Sequence, residues 1–123
     1  MSQKIFFTAV VILYFILGVG NLLAPQEFIS GFGVTLNPAG IVMARVVATA
    51  AIAFAIIYWV CRDAAPSRLF TAVLLGSLTE KVIQVILIVY AINAGVFNSM
   101  GWVMAAIQLL LALGFGYFAF RKR

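Results

Sequence analysis

The sequence has no histidine, only three acidic residues and a single cysteine. Metal centres are built from His, Cys, Asp and Glu, and proton-transfer catalysis draws on His or on paired carboxylates, so both chemistries are short of material. No metal site, cofactor or catalytic group is expected, and an enzyme is the weakest of the functional readings, since no nucleophile lies beside a base in the sequence. Cys61 alone cannot close an intrachain disulfide, so its presence says nothing about redox compartment. Charged residues make up 9% of the chain, against about 25% in a soluble domain, too few to coat a water-facing surface.

What fills the chain instead is apolar: 66% of its 123 residues are hydrophobic. A spanning helix needs about 20 predominantly apolar residues, and four segments qualify, approximately 5–24, 39–60, 69–93 and 100–120. They leave only short connections, which predicts an all-α integral membrane four-helix bundle forming a single domain over 1–123. The apolar run after Lys4 is longer than the core of a signal peptide and reads as the first span. Asn37 before Pro38 predicts an N-cap followed by proline at the first helical position; Ser67 is the cap expected for the third span, and Asn98 or Ser99 for the fourth. Tyr58, Trp59 and Tyr117 are expected near one interface, Tyr90 and Trp102 near the other. The stretch from Pro25, with Phe28, Ile29 and Phe32, reads either as a short segment lying flat on the membrane or as an ordinary loop turning at Gly31 and Gly33.

Outside the spans the basic residues are one-sided. Lys4, Arg62, Arg68, Arg121, Lys122 and Arg123 fall at the two ends and the second connection, with none in the first or third connection. The positive-inside rule then places both termini in the cytoplasm of a cell-membrane protein, which agrees with an even number of spans. The net charge of +5 is on this reading a topology signal, and no nucleic-acid partner is expected.

Three ionisable residues lie inside spans: Arg45 in the second, Glu80 and Lys81 near the middle of the third. Each costs about 2.5 to 3.5 kcal/mol at a helix centre on insertion scales, so the third helix should be marginal unless its charges find partners. In an antiparallel hairpin turning near 61–66, Arg45 and Glu80 come to nearly equal depth, which predicts an ion pair between them. Ser77, Glu80, Lys81 and Gln84 share one helical face; Asn21 of the first span and Gln108 of the fourth fall near the same depth. A buried polar layer of Asn21, Arg45, Glu80, Lys81, Gln84 and Gln108 is therefore expected, either as an internal network that fixes register or as the lining of a ligand or ion pathway. Small residues spaced by four, Ala44 with Ala48, Ala51 with Ala55, Gly101 with Ala105 and Ala112 with Gly116, predict close helix contacts.

The run P-A-G-I-V-M-A-R-V-V-A-T-A-A-I-A-F-A at Pro38–Ala55 resembles the second helix of DoxX-like small four-helix membrane proteins, where a Gly and an Arg precede a small-residue stretch. Together with the four-span layout, the likeness covers most of the chain. It implies a four-helix fold and an accessory role, with loose links to quinone-linked redox subunits. Some members carry a Glu beside the Arg; here Met43 and Ala44 occupy those positions, and Glu80 is the residue that could take its place. The leading functional reading is an accessory or structural membrane subunit, or a binder of a lipid-like or small amphiphilic molecule. The alternative is a small proton- or ion-coupled transporter or channel using Glu80. Expected partners are membrane lipids, such a ligand, and a homodimer or larger membrane complex.

Overall fold

In a computed structural model describing residues 2–121, the described residues form five helices and no strand. They are α1 (Gln3–Leu23), α2 (Pro25–Ser30), α3 (Pro38–Cys61), α4 (Arg68–Asn93) and α5 (Met100–Phe120). All but α2 are long and apolar enough to cross a membrane, the architecture of a multi-pass membrane protein. The four predicted spans thus fall within a few residues of the helices observed. Lys122 and Arg123 of the C-terminal basic run lie outside the described residues. The chain divides into two compact units, Met1–Asp63 and Ala64–Arg123, each a helical hairpin.

The N-terminal unit pairs α1 with α3 in antiparallel fashion. Gly18 sets how closely they approach: a Cβ there would lie 2.7 Å from Ile52 Cγ1 and 3.2 Å from both the Ala48 carbonyl oxygen and the Ile52 nitrogen. Ala48 and Ala55, two of the small residues singled out by spacing, are buried on α3. Further along the seam Phe7, Tyr14, Phe54 and Tyr58 form an aromatic cluster, with ring centroids 5.2 to 6.2 Å apart. Tyr58, expected near an interface, lies in the last turn of α3 and is 0% exposed at the centre of that cluster, packed edge-on against Tyr14. Trp59, Tyr117, Tyr90 and Trp102 are exposed.

Each helix of this hairpin also closes the other's C-terminal end. The last carbonyls of an α-helix have no intrahelical donor. Gln3 Nε2 donates to the Cys61 carbonyl at the end of α3 (3.0 Å), and Arg45 Nε donates to the Leu22 carbonyl at the end of α1 (3.2 Å). Asn37 Oδ1 accepts from Gly40 N at 2.7 Å with Pro38 following, as its place before the proline predicts.

Between α1 and α3 the chain folds into α2 and a loop, so the helix-start pattern at Pro25 is realised as a six-residue helix. The Phe28 ring lies directly against the bare Cα of Gly20. Gln26 then fastens the loop: its Oε1 accepts from Leu36 N (2.7 Å) while its Nε2 donates to the Val34 carbonyl (3.0 Å). One side-chain amide thereby does the work of a peptide group in a strand pair. The turn glycine is Gly33, with φ at 78°; Gly31 is in the ordinary helical region.

The C-terminal unit pairs α4 with α5, also antiparallel. Ser67 Oγ caps α4 by accepting from Phe70 N at 3.0 Å. The end of α4 is a Schellman motif: Gly95, at φ 77°, donates to Ile92, and Val96 donates to Ala91. Asn98 rather than Ser99 supplies the side-chain acceptor before α5, taking a bond from Met100 N at 3.0 Å. Gly101, Ala105, Gln108 and Ala112 are buried on α5 at spacings of four, three and four, one continuous stripe. Gly101 meets Ile92 and Gly116 meets Leu78, so this stripe is the face turned to α4.

Candidate functional site

The polar residues expected in the apolar interior fall on both hairpins. In the N-terminal hairpin, half-buried Asn21 turns its amide back to the Leu17 carbonyl (2.8 Å), and exposed Arg45 reaches the Leu22 carbonyl. In the C-terminal hairpin, Lys81 is 2% exposed, Gln108 is 5% exposed, and Glu80 and Gln84 are half-buried.

The chemistry concentrates on α4. Lys81 Nζ donates to Gln84 Oε1 at 3.1 Å, Gln84 Nε2 donates to Glu80 Oε1 at 3.0 Å, and Lys81 Nζ stands 3.6 Å from the same Glu80 oxygen. The three side chains close a ring in which the Gln84 amide offers its carbonyl to the cation and its amino group to the anion. Successive residues on a helix do not face one another. Here both side chains are long, and Gln84, one turn on, bridges the angular gap between them. Where the sequence predicts that α4 depends on other helices to pair its charges, the ring pairs Glu80 with Lys81 within α4. Ser77, one turn before, is buried on the same face.

Gln108 belongs to the α5 stripe that packs on α4. The Gly101–Ile92 and Gly116–Leu78 contacts fix the register and put it level with Val85. Its Nε2 rests against Met104 Sδ at 3.3 Å, and its Oε1 is buried with no hydrogen-bond partner among the described residues. A buried carbonyl without a donor costs about 1 to 3 kcal/mol, so a ligand hydroxyl or amine there would be favoured. Spacing identified Gln108 by depth; its missing donor had no sequence signal.

Among the described residues no group of three or more His, Cys, Asp or Glu could hold a metal ion. The basic end of the N-terminal hairpin is a surface feature: Lys4 and Arg62 lie 3.9 and 3.8 Å from Asp63, and the Arg62 guanidinium sits 4.0 Å over Trp59. The exposed Lys4–Asp63 pair contributes little to stability; Arg62 is half-buried, and its Nε has no hydrogen-bond partner among the described residues.

What the fold and these side chains define is an all-α protein with four membrane-length helices and an internally paired charge cluster on one of them. Compared with known families, characterised proteins and solved structures, the chain matches none.

Proposed function

We propose that the protein is an accessory subunit of the cell membrane that binds a lipid-like or small amphiphilic molecule at α4, through Glu80, Lys81, Gln84 and Gln108. The observation that carries this is the Glu80–Lys81–Gln84 ring. Lys81 is withdrawn from the surface, while 30% of the Glu80 side chain stays open. Ionised groups kept inside an apolar span are costly and point to function by default. A ligand with a donor at its head could reach the open side of Glu80 and lay an apolar tail along the helices, and would satisfy the Gln108 carbonyl by entering the α4–α5 seam where it is buried. The likeness of Pro38–Ala55 to DoxX-like proteins supports an accessory role, alone, as a homodimer or in a larger complex. Both termini are cytoplasmic on this reading, supported by the one-sided Lys and Arg distribution.

The purified protein should copurify with a small amphiphile that native mass spectrometry detects, and Glu80→Gln and Gln108→Ala should each lose it while remaining folded. Unchanged retention in both variants would refute the site. Reporter fusions at the C-terminus and in the 25–38 connection should report opposite sides of the membrane. A second reading, proton- or cation-coupled transport, is favoured by the openness of Glu80 beside a buried cation. It requires flux in proteoliposomes that Glu80→Gln abolishes, and absence of flux in the unsubstituted protein removes it.

A further inference from the structure

Arg45 belongs to the N-terminal hairpin and carries a different inference. It is the eighth residue of α3 and is exposed, on a helix whose neighbouring Val42, Met43, Val46 and Val47 are each more than half open. Its Nε donates to Leu22, the penultimate residue of α1. Leu22 lies at the C-terminal end of α1, the end of the hairpin at which α3 begins. The bond therefore holds the guanidinium at the level of the last turn of α1, on the side of the hairpin nearer that end than the other.

That bond uses one of the five N–H donors of the guanidinium. The four on the terminal nitrogens have no partner among the described residues. The acidic residues of this hairpin do not supply one. Asp63 is engaged with Lys4 and Arg62 at the opposite end, and Glu27 makes no ion pair with Arg45 among the described residues. A planar fork with two open edges, fixed at its root at the level of the last turn of α1, matches the paired oxygens of a phosphodiester. In a bilayer that group is supplied at this level by phospholipid heads.

We propose that Arg45 holds the headgroup phosphate of one phospholipid in the leaflet where α1 ends and α3 begins, with its acyl chain running along Val42, Met43 and Val46. The Leu22 carbonyl positions the fork, so the C-terminal cap of α1 and the lipid site are one structure.

The test uses the whole protein in phosphate-free maltoside detergent. Phosphatidylglycerol, a monogalactosyl diacylglycerol with the same chains, and inorganic phosphate are each titrated in, and bound adducts are counted by native mass spectrometry. One phosphatidylglycerol per chain should be retained, Arg45→Gln should weaken that retention about tenfold, and the galactolipid should not replace it. Inorganic phosphate should neither bind nor compete. Retention unchanged in Arg45→Gln, equal retention of the galactolipid, or displacement by inorganic phosphate would each overturn the proposal. So would a rise in retention on Glu80→Gln, which would mean that this carboxylate had been holding Arg45. If Arg45→Gln does not fold, Arg45→Lys decides: it keeps the charge but cannot bond Leu22 and fork a phosphate together, and undiminished retention there refutes the site.

Discussion

Replacing Gly18 by alanine adds one methyl group where α1 and α3 come closest. The new carbon would lie 2.7 Å from a side-chain atom of Ile52, which can rotate aside, but also 3.2 Å from the Ala48 carbonyl oxygen and the Ile52 nitrogen, which cannot move without α3. Overpacking of a well-fitted contact costs about 1 to 3 kcal/mol. Glycine to alanine inside a helix also returns up to about 1 kcal/mol of intrinsic propensity, which would blur a single measurement. Gly76 removes that ambiguity, since a Cβ there meets nothing within 4 Å. Gly76→Ala carries the same propensity gain and no clash, so the difference between the two variants isolates the helix contact. Unfolding in mixed dodecyl sulfate and maltoside micelles, followed by circular dichroism, should find Gly18→Ala less stable than Gly76→Ala by about 1 to 3 kcal/mol. Equal stabilities within about 0.5 kcal/mol would show that α1 and α3 are not held at the spacing described.

Three further outcomes are expected. Gln26→Leu removes both bonds that fasten the loop before α3, worth about 1 kcal/mol each, and should speed hydrogen exchange at the Leu36 amide by at least about tenfold while leaving exchange in α4 unchanged. Gly95→Ala forces a β-carbon into the left-handed conformation that ends α4 and should cost about 1 to 2 kcal/mol in the same micelle titration. Glu80→Gln strips the anion from beside a buried amine and should destabilise by about 1 to 3 kcal/mol, below the 3 to 5 of a fully buried pair because Glu80 is partly open; the double change Glu80→Gln with Lys81→Met should recover most of that loss.

Helix number, boundaries and most caps were legible because they are local. A run of about 20 apolar residues and an Asn-Pro or Ser at its start determine a span and its first turn with little help from the rest of the chain. The candidate site was legible only as a set of depths. Counting along helices placed Glu80, Lys81 and Gln84 together, but not the direction of the Gln84 amide, which depends on rotamers. Arg45 was read as seeking a carboxylate because its charge is what a sequence shows. The acceptor it finds in its own hairpin is a main-chain carbonyl, and every residue has one of those, so composition cannot point to it. The burial of Tyr58 had no sequence signal for a related reason: it depends on ring partners from both α1 and α3.

The closed ring on α4 bears on how the chain is made. A helix leaving the ribosome must partition into lipid before later segments exist, and charged residues near its centre ordinarily hold it back until a neighbour arrives. Glu80, Lys81 and Gln84 lie within five consecutive positions and satisfy one another through contacts that need only one helical turn. As soon as that turn forms, α4 carries a neutralised dipole rather than two separate ions. While α5 is still to be synthesised, the order of biosynthesis therefore places less demand on the rest of the protein than two unpaired ions in α4 would.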